Sequence, residues 1–113
     1  MRADERKRID DFIKEYLLID IRIKILKAKI KYNEYNNCKS VSIRCNNEIN
    51  KLEKFRGIIQ SHVQNDYLEK LEIFKMDIVE AMEEFNINKN NLFKLKKEIR
   101  EEFIKVIDIV EAG

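Results

Sequence analysis

Apolar residues recur at Ile9, Phe12, Tyr16, Ile19, Ile23, Leu26 and Ile30, in alternating steps of three and four. This spacing draws one stripe along a helix, in the a/d register of a coiled-coil seam or a helical hairpin. Within it, residues 19–25 also alternate strictly between apolar and polar, which is a strand pattern. The stripe continues on both sides of that stretch, so length decides for helix. Asn33, Asn36 and Asn37 follow, with side chains that compete for backbone hydrogen bonds. Residues 33–45 are therefore predicted to form a loop, with the next helix capped near Asn46 or Asn47. That second helix aligns Ile49, Leu52, Phe55, Ile59 and Val63 and folds back antiparallel on the first. The first stripe then serves either as hairpin core or as a homodimer seam.

Downstream the elements shorten. Asn65 or Asp66 is an N-cap candidate for a short helix carrying Tyr67, Leu68, Leu71 and Phe74. Asp77 is placed to cap residues 78–85, Asn86-Ile87-Asn88 makes a tight connection, and Asn88 caps a long last helix reaching about residue 110. The far end of that helix carries Ile99, Phe103, Ile104, Val106, Ile107, Ile109 and Val110 on more than one face. It needs cover on two sides, from the hairpin or from a second subunit, and dimerisation is the favoured reading. The expected architecture is all-α. An N-terminal antiparallel helical hairpin over 1–64 gives support or dimerisation. A three-helix helix-turn-helix unit with a long last helix follows over 65–113.

Composition narrows the function classes. The 113 residues suit one domain. There is no proline, and the only glycines are Gly57 and Gly113, so a sheet-rich fold would lack its usual turn residues. A 44% hydrophobic content with regular spacing argues against disorder. The longest apolar run, residues 16–19, is far short of the ~20 needed to span a bilayer. The opening MRADERKRIDD has no apolar segment behind its basic residues, so no secretory leader is predicted and a cytoplasmic location is expected. Cys38, Cys45 and His62 are one ligand short for structural zinc, and the cysteines stand further apart than the usual spacing. No metal, cofactor or small-molecule ligand is expected. No Ser/His/Asp set or glycine-rich phosphate loop is present, and the adjacent pairs Asp10/Asp11 and Glu83/Glu84 point apart on a helix, so no enzyme is expected.

Charge then picks out one segment. The net charge is only +2, yet residues 67–88 hold two lysines against six acids. Residues 89–100 hold Lys89, Lys94, Lys96, Lys97 and Arg100 against Glu98 alone. A short cationic helix face of this kind attracts phosphate. Its neighbourhood also fits two helices closed around a tight turn. With Asn86 at the positive-φ position, Ala81, Phe85, Ile87, Leu92 and Leu95 fall where apolar side chains are required, and Asn88–Asn91 are all polar.

Residues 78–98 resemble the helix-turn-helix of the fourth region of sigma factors. They are more similar still to the small phage-encoded regulators of the ArpU/RinA type. The resemblance covers roughly 66–105 in pattern and the N-terminal hairpin in architecture only. Met82 stands where that pattern usually has a small residue, and Phe74-Lys75-Met76 where it often has a glycine turn. It implies a phage or mobile-element transcriptional regulator that binds double-stranded DNA and contacts RNA polymerase, for which the acidic face of 67–84 is one candidate surface. The recognition helix would be 88–100. Asn88, Lys89, Asn90, Phe93, Lys94 and Lys97 would face the major groove, where Asn can pair with adenine, Lys can reach guanine or phosphate, and Phe93 can meet thymine methyls. Lys96 and Arg100 would touch phosphates. The alternative is a helical protein-interaction module, such as a phage-encoded inhibitor or a packaging adaptor, that keeps the helix pair only for packing.

Overall fold

The computed structural model describes residues 2–112, and all regular structure among them is helical. Six helices follow in order: α1 (Ala3–Leu17), α2 (Ile19–Tyr35), α3 (Lys39–His62), α4 (Asn65–Leu68), α5 (Ile78–Phe85) and α6 (Lys89–Ala112). A 3-10 turn, Leu71–Phe74, stands between α4 and α5. The stretch with strand-like alternation is helical throughout, as the heptad spacing requires.

Helices α1 and α2 are nearly one rod. Leu18 separates them at φ −88° and ψ −7°, and its N–H is shared between the carbonyls of Lys14 and Glu15. No proline or glycine marks this bend in the sequence. The predicted loop at 33–45 shrinks to Asn36–Cys38. Asn33 and Asn36 do use their side chains on the backbone, but each amide donates to the carbonyl four residues back, at 2.7 and 2.8 Å. At Asn33 that bond lies within α2 and does not break it, whereas Asn36 is the residue at which α2 stops. The reversal is made by Asn37 at φ 59°, with the Cys38 N–H reaching back to the Asn33 carbonyl at 2.7 Å. This is a left-handed helix stop of the Schellman type, in which asparagine replaces glycine. Asn46 and Asn47, expected as caps, lie inside α3 and are exposed.

Two cores result. The smaller consists of Ile19, Ile23 and Leu26 of α2 against Cys45 and Ile49 of α3. The pairings Tyr16–Gln60 and Asp20–Arg56 set α3 antiparallel to the α1–α2 rod. The larger core crosses residue 64: Ile9, Ile13, Ile59 and Val63 come from before it, and Leu71, Ile73, Ala81, Leu92, Ile99 and Phe103 from after it. Phe12, half-buried, packs against it, edge-on to Phe55 at 5.3 Å and to Phe103 at 6.0 Å. The heptad stripe is therefore divided between both cores and consumed within the chain. Intramolecular packing, not a homodimer seam, is what buries it. In α6, Ile99, Phe103, Val106 and Ile107 are buried, while Ile104 and Ile109 remain exposed.

Candidate nucleic-acid interface

The segment from Asp77 to the first turns of α6 is set by three polar side chains. Asp77 caps α5, its carboxylate accepting the Glu80 N–H at 2.8 Å. The same proximity of Asp77 raises the Glu80 carboxyl above its ordinary value. Asn86 then stops α5 in the left-handed region, at φ 51° and ψ 50°, and the Ile87 N–H closes back on the Met82 carbonyl. Asn88 caps α6, its Oδ1 accepting the Asn91 N–H at 2.8 Å. Between these polar stops Ala81 and Leu92 are fully buried, and Phe85, Ile87 and Leu95 are half-buried. The five apolar positions that the spacing singled out all turn inward.

By contrast, Asn88, Lys89, Asn90, Phe93, Lys94 and Lys97 are all exposed. Asn90, Phe93, Lys94 and Lys97 stand at i, i+3, i+4 and i+7, one continuous helix face. Lys89 sits beside it, its ammonium 5.7 Å from the Phe93 ring centre. The free N–H groups and positive dipole end of a 24-residue helix add to the cationic field here. One turn further along the same face Glu101 appears, so the cationic surface ends after about the first 2–3 turns. Asn88 differs from its neighbours. Its side-chain oxygen is engaged in the cap, so its part is to fix the start of the helix.

Lys96 and Arg100 lie on another side. The Arg100 guanidinium grips Asp10 of α1 with two hydrogen bonds, Nε at 2.7 Å and Nη2 at 3.0 Å, in a largely shielded site. Both Arg100 and Lys96 lie over the Phe74 ring, at 5.4 and 5.6 Å. Burial pushes the Lys96 ammonium below its ordinary value, and neighbouring Arg100 pushes it further. These two cations fasten α6 to α1 and the 3-10 turn and are not presented outward as phosphate contacts. Arg6 lines, with Glu5, Phe93, Lys97, Arg100, Glu101 and Ile104, a groove of about 710 Å³ between α1 and α6. Nothing local to Arg6 signals this placement, because only tertiary docking of α1 brings it to the groove that Lys97 lines.

Elsewhere, Cys38 is exposed and Cys45 is buried in the smaller core. Among the described residues no three His, Cys, Asp or Glu side chains are grouped to hold a metal ion, and no helix is long and apolar enough to cross a membrane. Glu80, Glu83 and Glu84 of α5 line a shallow depression beside Met76, making this the acidic side of the helix pair. Comparison of the chain with family models, curated proteins and solved structures returns no match.

Proposed function

We propose that the chain is a sequence-specific DNA-binding transcriptional regulator that enters the major groove with the leading turns of α6. The observation that carries this reading is the exposed face Asn90–Phe93–Lys94–Lys97, lifted clear by a left-handed stop at Asn86 and anchored beneath by buried Leu92. Asn90 is the side chain suited to adenine, Phe93 to thymine methyls, and Lys94 and Lys97 to guanine or phosphate. Lys89 and Arg6 extend the field toward the flanking phosphates. The ArpU/RinA resemblance supports the same reading and adds a phage or mobile-element setting in the cytoplasm. Contact with RNA polymerase then falls to the acidic α5 side, around Glu80, Glu83 and Glu84. A homodimer on a two-fold operator would need a surface other than the N-terminal stripe.

The test is a titration of duplex DNA at two salt concentrations. Removing two phosphate-seeking cations with Lys94→Ala and Lys97→Ala should weaken binding at least about tenfold. It should also reduce the slope of log affinity against log salt by about 2. Lack of binding at low salt, or indifference to the double substitution, would hand the function to the helical protein-interaction module.

A further inference from the structure

A second apolar stripe runs along α2, opposite the one buried against α3. Leu18, Ile21, Ile25, Ala28, Tyr32 and Tyr35 are spaced 3, 4, 3, 4 and 3, and every one is exposed. Ile21 and Ile25 are about half exposed, at 52% and 51%, and Tyr32 and Tyr35 reach 69% and 90%. On an ideal helix these positions lie about half a revolution from Ile19, Ile23 and Leu26. The helix is thus apolar on two opposite sides, and only one is covered. Continuous exposed apolar surface of this kind marks an interaction site.

The flanks say what covers it. With Leu18, Ile25 and Tyr32 as a positions and Ile21, Ala28 and Tyr35 as d, the e positions are Arg22 and Lys29 and the g positions Lys24 and Lys31. All four are cationic and exposed, and among the described residues none takes part in an ion pair. In a coiled coil, e and g residues face those of the partner and decide its identity. A second copy would set Lys24 against Lys29 in parallel orientation, and like-charged e and g side chains against one another in antiparallel orientation. A lipid surface calls for a broad apolar face, whereas this one is a narrow 3.5-period seam on a helix whose other side is occupied. We infer that the outer face of α2 docks an amphipathic helix of another protein, apolar at a and d and acidic at e and g. This face belongs to the smaller core, away from α6, and would take its partner with or without DNA bound.

The probes are two helical peptides of about four heptads, identical with Ile at a and Leu at d, one with Glu and the other with Lys at every e and g. Anisotropy titration with the full chain should show the acidic peptide binding at least about tenfold more tightly, since every e/g pair is matched with one peptide and mismatched with the other. Ile21→Asp with Ile25→Asp should abolish binding while circular dichroism stays unchanged. Arg22→Glu, Lys24→Glu, Lys29→Glu and Lys31→Glu together should reverse the preference toward the basic peptide. Equal or absent binding of both peptides overturns the inference. So does reversible dimerisation of the chain that Ile21→Asp and Ile25→Asp remove, which would assign the face to a second copy. Binding to phosphatidylserine vesicles without binding to the acidic peptide would assign it to a membrane.

Discussion

The two cores of this molecule treat the same kind of sequence differently. Around Phe12 and Phe103, helices α1, α3 and α6 and the 3-10 turn converge, and even the charges are drawn in, as Asp10 and Arg100 pair across α1 and α6 in a shielded site. In the α2–α3 arm only two helices meet, the buried set is five residues, and a row of isoleucines and tyrosines faces water. An apolar pattern is buried only where enough chain arrives to cover it. With α3 on one side and nothing on the other, α2 keeps half of its apolar surface in solvent.

The contrast can be broken or sharpened by substitution. The largest effect belongs to Phe103→Ala, which should lower unfolding free energy by about 3–5 kcal/mol, whereas Leu26→Ala in the thin arm should cost nearer ~2 kcal/mol. Urea denaturation measures both, and equal costs would mean that the arm is as tightly determined as the base. Next comes Arg100→Ala, which strands the partly shielded Asp10 carboxylate and should cost about 2 kcal/mol. The same variant, assayed while folded, should keep DNA affinity within about threefold, unlike substitution of Lys94 and Lys97, whose proposed phosphate contacts would carry the salt-dependent part of binding. The smallest effect compares the two turns. Asn86→Ala and Asn37→Ala each force a Cβ residue into the left-handed region without a compensating polar group, at about 1 kcal/mol apiece, while Asn→Gly at either should be nearly neutral. Thermal unfolding resolves these differences, and a much larger penalty at Asn86 alone would show that the α5–α6 turn carries strain that the hairpin turn does not.

Much of this architecture is legible in one dimension. The heptad spacing gives the α1–α2 rod, and Asp77, Asn86 and Asn88 announce the stops of α5 and α6, because a cap or a left-handed turn depends on a few adjacent residues. The polar face of α6 follows from simple periodicity. Three things do not. The break at Leu18 has no proline or glycine to declare it. Asn33 looks like a helix breaker, yet its amide satisfies a carbonyl within the helix, and that choice depends on its rotamer. The surroundings of Arg100 and Arg6 are decided by how α1 lies against α6, over a sequence separation of about ninety residues in the Asp10–Arg100 pair, and those of Lys96 by the 3-10 turn, where local pattern is silent.

The Phe12 ring has a mechanical meaning. It is wedged between Phe55, on the helix that leads out to the arm's tip, and Phe103, on the helix whose other end presents the polar face. The 17 residues of α2 carry Tyr35 about 25 Å out from Leu18, which itself stands nearly two turns beyond Phe12, so the bare apolar row overhangs the aromatic brace that ties α3 to α6.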